Sequence, residues 1–169
     1  TNNKNDIDEE IDRVYDCFAN PEINTDILFP NLVTNLEFTK GERFDTENSE
    51  FSFTWKNYYK IKMIVQNVKR DDKFRTFTFR SLGIDRIPMQ ISLTYYYYWD
   101  TVDLKTVFIL DLEYQDEFFE ELIKAEVKET DIMKMCQNIE NYLNSIVQGL
   151  EIRNTFLMNF PIEEIWKTI

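Results

Sequence analysis

The segment Ile91-Ser-Leu-Thr-Tyr-Tyr-Tyr-Tyr-Trp-Asp100 sets the fold class. Ile91, Leu93, Tyr95, Tyr97 and Trp99 fall on every second position, the spacing that puts side chains on one face of a strand. Beyond a turn at Asp100–Asp103 the pattern resumes. Leu104, Thr106, Phe108, Leu110 and Leu112 alternate with Asp103, Lys105, Asp111 and Glu113. Two half-buried runs joined by a short polar turn predict an antiparallel pair. Upstream, Phe77 and Phe79 alternate with Thr76, Thr78 and Arg80, after a hairpin turn at Arg70-Asp-Asp-Lys73. Tyr59, Ile61, Met63 and Val65 share this alternation, as do Phe51, Phe53 and Trp55, and Leu36 and Phe38 lead to a turn at Lys40-Gly41. The stretch from Leu32 to Leu112 therefore reads as an antiparallel meander.

On both sides the period becomes helical. Ile11, Val14, Tyr15 and Phe18 mark one apolar helix face, with Asp8 as the expected N-cap and Asn20-Pro21 as the stop. A short apolar segment runs from Ile23 to Phe29. Phe118 to Lys128 is a charged helix, its Glu and Lys residues spaced as i, i+4 pairs rather than as an acid–base dyad. Ile132, Met135, Cys136, Ile139, Leu143, Ile146 and Val147 form a stripe over roughly five turns. That predicts a long helix from about Thr130 to Gln148, stopping at Gly149. Thr1–Asp8 is polar and reads as frayed or loop-like.

Bulk properties exclude several classes. The 169 residues suit one domain, and 43% hydrophobic and 15% aromatic content suffices for a large core. A net charge of −12 argues against nucleic-acid binding and against docking on anionic membranes. No apolar run is long enough for a transmembrane segment. Two cysteines, Cys17 and Cys136, are too few for a disulfide scaffold and read as buried thiols. A cytoplasmic or other reducing location is expected. Histidine is absent, which removes His-based catalysis and His-ligated zinc. The acidic cluster Asp6, Asp8, Glu9, Glu10 and Asp12 lacks the central glycine of a calcium loop. No metal or cofactor is expected, and the chain is not read as an enzyme.

Ile11-Asp-Arg-Val-Tyr-Asp-Cys-Phe18 has an echo near the end of the chain, in Ile162-Glu-Glu-Ile-Trp-Lys-Thr-Ile169. Residues 1–149 are expected to form the domain, and residues 150–169 a strand plus a short helix. Leu150–Met158 would then either open a second, tandem repeat or pack back as the edge strand that the N-terminus lacks; chance similarity is the third explanation. A start at Thr1 rather than methionine is expected of a processed or partial product.

This order of elements resembles the START/Bet v 1-like (SRPBCC) helix-grip superfamily, over roughly Asp8–Val147. The motif Asp12-Arg-Val-Tyr-Asp-Cys-Phe-Ala-Asn-Pro21 is similar to the family's opening helix and Asn/Asp-Pro, and Phe160-Pro-Ile-Glu-Glu-Ile-Trp-Lys-Thr-Ile169 resembles it further. The first strand is missing or displaced, and the glycine-rich loop and any cyclase motif are absent. The resemblance implies an α+β fold in which a curved antiparallel sheet wraps around a long C-terminal helix, with a hydrophobic cavity between them. It implies no activity.

In such a fold the inner face would hold a lipid or other hydrophobic small molecule. The ligand-binding candidates are Met63, Phe77, Phe79, Tyr95, Tyr97, Trp99 and Phe108 on strands, and Met135, Ile139 and Tyr142 on the helix; Leu110 also shares that face. A filled aromatic core is the alternative. Lys56, Lys60, Lys62, Lys69, Arg70, Lys73, Arg75 and Arg80 concentrate positive charge on the middle strands. They form either a docking face for an acidic protein partner or a solvated outer face. Non-catalytic ligand binding leads, followed by a structural or interaction domain with a filled cavity, and then by a cyclase-like enzyme.

Overall fold

The computed structural model describes residues 2–158. Strand β1 (Asn2–Ile7) is followed by helix α1 (Ile11–Ala19), a single turn α2 (Pro21–Ile23) and a π-helical turn at Asn24–Leu28. Six strands come next: β2 (Val33–Lys40), β3 (Glu50–Trp55), β4 (Tyr59–Arg70), β5 (Phe74–Ile84), β6 (Ile91–Asp100) and β7 (Lys105–Tyr114). Helices α3 (Glu120–Glu126) and α4 (Glu129–Met158) complete the order. All seven strands form one antiparallel sheet, in the order β1-β7-β6-β5-β4-β3-β2. The meander expected from alternation is present, with both predicted hairpin turns. No helix among the described residues is long and apolar enough to cross a membrane.

The N-terminal segment corrects the sequence reading. Asn2–Ile7 is not a frayed tail but the edge strand, running from Asn2 opposite Asp111 to Ile7 opposite Thr106. Backbone pairing at a sheet edge requires no apolar side chains, so a polar sequence conceals it. Ile7 is fully buried, and Lys105 Nζ lies 2.8 Å from Asp6 Oδ2. Thr106 Oγ1 donates to the Glu9 carbonyl at 2.6 Å, tying the chain down beyond the strand. Asp8 does not cap α1. Its N–H donates instead to Glu140 Oε1 on α4 at 2.8 Å, and α1 starts after Glu10.

The far end corrects it again. α4 continues through Gly149, so Leu150–Met158 is helical rather than an edge strand. One glycine costs a helix interior only about 1 kcal/mol. The echo at Ile162–Ile169 lies outside the described residues. Of the predicted stripe, Ile132, Met135, Cys136, Ile139 and Leu143 are buried, whereas Ile146 is exposed.

α1 occupies one half of the concave sheet face. Phe18 is buried, with ring centroids 5.2 Å from Tyr95, from Tyr97 and from Phe108. Tyr15 lies 5.3 Å from Phe77 in the same layer. Phe18→Ala is expected to cost about 3–5 kcal/mol of stability in urea unfolding; a loss under about 1 kcal/mol would mean that this layer is not closely packed. Cys17 and Cys136 are both buried free thiols, each pushed up to about 12, chiefly by burial and secondarily by Asp16 and Glu140 respectively. Both should resist a thiol reagent in mildly alkaline buffer and react only once the chain is unfolded in urea.

Candidate functional site

The other half of the concave face is hollow. A cavity of about 160 Å³ lies between β2–β7, α3 and the first turn of α4. Strand alternation turns Phe53, Met63, Phe79 and Tyr95 toward it, and Ile123 and Ile132 close it from the helices. α3 is anchored there by a small apolar cluster of Ile123, Met89 and Leu112. The lining is apolar except for Asn24, Tyr59, Tyr95 and Glu126. Burial raises the pKa of the Tyr95 phenol.

The mouth is built from the β3–β4 hairpin facing the α3–α4 junction. Three residues, Lys56, Asn57 and Tyr58, join the paired Trp55 and Tyr59; Lys56 (φ 50°) and Asn57 (φ 58°) are both left-handed, and the Tyr58 backbone N–H donates to the Trp55 carbonyl at 3.1 Å. This tight turn aims three groups across the opening. Trp55 Nε1 donates to the Glu126 carbonyl at 3.1 Å. Lys56 Nζ meets Asp131 Oδ2 at 2.8 Å, and the same oxygen accepts from the Lys128 N–H at 3.1 Å, at the start of α4. The Tyr59 phenol is held above its usual range by burial first and then by the charge of the neighbouring Glu126 carboxylate.

Of the ten candidates, Met63, Phe79 and Tyr95 line this cavity, together with Leu110. The other seven lie elsewhere. Phe77, Tyr97 and Phe108 are buried in the layer beneath α1, with Tyr15 and Phe18. Met135 and Ile139 are buried in the main core, and Tyr142 packs half-buried against it. Trp99 is half-buried near the far end of β6, where its backbone N–H donates to the Lys73 carbonyl at 3.2 Å. Phe53, Trp55, Tyr59, Ile123 and Glu126 were not singled out. The alternation of Phe51, Phe53 and Trp55 was the available signal for two of them.

The basic residues do not share one surface. Lys56 is tied to Asp131 at the mouth. Arg75 is buried, with Nη2 3.0 Å from Asp12 Oδ1 on α1. Arg70 reaches the same oxygen at 3.3 Å and lies over the Tyr15 ring at 4.5 Å. Lys60, Lys62, Lys69 and Lys73 are exposed.

No protein-family model and no curated protein sequence matches the chain. Several solved structures do. Major latex-like protein 151 from Panax ginseng superimposes with a TM-score of 0.60 at 13% identity, covering 86% of this chain and 94% of that one. A point mutant of norcoclaurine synthase from Thalictrum flavum, in complex with a transition-state analogue, gives 0.64 at 14% identity, covering 86% and 93%. A protein from Nitrosospira multiformis gives 0.61 at 11% identity, covering 83% and 93%. At such identities the likeness establishes architecture, and the chain has the Bet v 1-like helix-grip fold: a curved seven-stranded antiparallel sheet around a long C-terminal helix.

Proposed function

We propose that the chain binds a lipid or other apolar small molecule in the cavity between sheet and helices, without catalysing a reaction on it. The observation that carries this reading is the cavity itself, about 160 Å³ with an almost wholly apolar lining and the buried Tyr95 phenol in its wall. Ligand sites characteristically combine an apolar surround with a few polar groups that fix orientation. Norcoclaurine synthase is an enzyme on this fold, but fold alone does not carry activity. Among the described residues the lining offers no lysine or cysteine and one carboxylate, which sits beside a phenol at the mouth, and the chain has no histidine. That inventory supports holding rather than turnover.

A protein-interaction role is the second reading. It is favoured by a half-buried aromatic patch on the convex face, where Phe74 and Tyr98 flank Tyr96 with ring centroids 5.8 and 6.0 Å from it. That reading requires a co-purifying protein that Tyr98→Ser releases.

The neutral one-ring fluorophore 4-(dimethylamino)benzonitrile, whose emission depends on the polarity around it, should change its emission on binding, and Leu93→Trp, which fills the cavity wall, should abolish the change while leaving far-ultraviolet circular dichroism unchanged. No uptake by the natural chain would overturn the proposal. The mouth contacts should govern exchange. Lys56→Met removes the ion pair to Asp131 at a cost of about 1 kcal/mol of stability. It should accelerate both uptake and release of the fluorophore several-fold in stopped-flow measurements, with little change in affinity. Unchanged rates would show that entry lies elsewhere.

A further inference from the structure

The charge census of the cavity carries a step beyond apolar binding, resting on the reading just given. Carboxylate-bearing lipids are held where a lysine or arginine faces their head group, since an unpaired charge is costly to desolvate. Neither residue type lines this cavity among the described residues. Among the described residues its one formally charged lining residue is Glu126, on the last turn of α3, half-buried at the mouth. Two aromatic side chains, Trp55 and Tyr59, line the cavity with it. A carboxylate beside aromatic rings is a setting that attracts an ammonium group and repels an anion. Lys56 does not cancel it. Its ammonium lies 5.6 Å from the Trp55 ring centroid, but its charge is matched by Asp131 at 2.8 Å.

The interior sets the size of the rest of the molecule. About 160 Å³ is close to the ~150 Å³ of an apolar cavity known to admit benzene. Met63, Phe79 and Tyr95 would therefore surround a body of about one ring or a short alkyl chain.

We infer that the cavity selects an apolar amine, with its ammonium at Glu126, Trp55 and Tyr59 and its apolar body on Met63, Phe79 and Tyr95, and discriminates against carboxylates of the same shape.

The test uses three molecules that differ only at one end: 4-phenylbutylamine, 4-phenylbutanol and 4-phenylbutanoate, titrated calorimetrically against the full chain at neutral pH. The amine is expected to bind at least about tenfold more tightly than the carboxylate, about 1.4 kcal/mol, with the alcohol between them. Glu126→Gln should bring the amine down to the alcohol and leave the alcohol unchanged, which also reports that the variant's cavity is intact. Trp55 bonds the Glu126 backbone carbonyl, so that contact survives the substitution. Selectivity is refuted if the carboxylate or the alcohol equals or exceeds the amine, or if the Gln variant keeps the gap. If none of the three binds and the neutral fluorophore fails as well, apolar binding itself falls and the selectivity with it.

Discussion

Phe18 divides the concave face of the sheet in two. Its ring sits against Tyr95, Tyr97 and Phe108 at 5.2 Å each, so the half beneath α1 is filled with aromatic carbon. The hollow half begins where α1 ends. A curved seven-stranded sheet presents more inner surface than one short helix can cover, and α3 with the start of α4 roofs the remainder without filling it. Tyr95 stands at the boundary, packed on Phe18 on one side and lining the cavity on the other.

Once the cavity is confined to that end, its mouth is fixed by the β3–β4 hairpin. The left-handed Lys56 and Asn57 let the chain reverse within three residues, Lys56 to Tyr58, and that places Trp55, Lys56 and Tyr59 opposite Glu126 and Asp131. Ion pair, indole hydrogen bond and phenol–carboxylate contact are then consequences of one tight turn. Polar chemistry collects at the rim and apolar surface inside, the division expected of a site that strips water from a small molecule.

Much of this architecture was legible in the sequence. Strict alternation in β4 through β7 has a strong physical cause, since a one-residue slip would move every core side chain to solvent. What escaped was structure held by backbone rather than side chains. β1 pairs through its peptide groups, and its polar composition said nothing of that. The run of α4 through Gly149 likewise reflects a weak local penalty overridden by the surrounding helix.

The site was only partly legible, for a different reason. Phe77 and Phe79, or Tyr95 and Tyr97, are equivalent by alternation. How far α1, distant in sequence, reaches along the sheet decides which member also lines the cavity: Phe77 and Tyr97 lie beneath it, whereas Tyr95 touches Phe18 and faces the cavity as well. The most direct measurement of this asymmetry is a crystal pressurised with xenon, which settles in dry apolar cavities. Xenon should appear between Met63, Phe79 and Tyr95 and nowhere beneath Phe18. Density under Phe18, or none beside Phe79, would contradict the account.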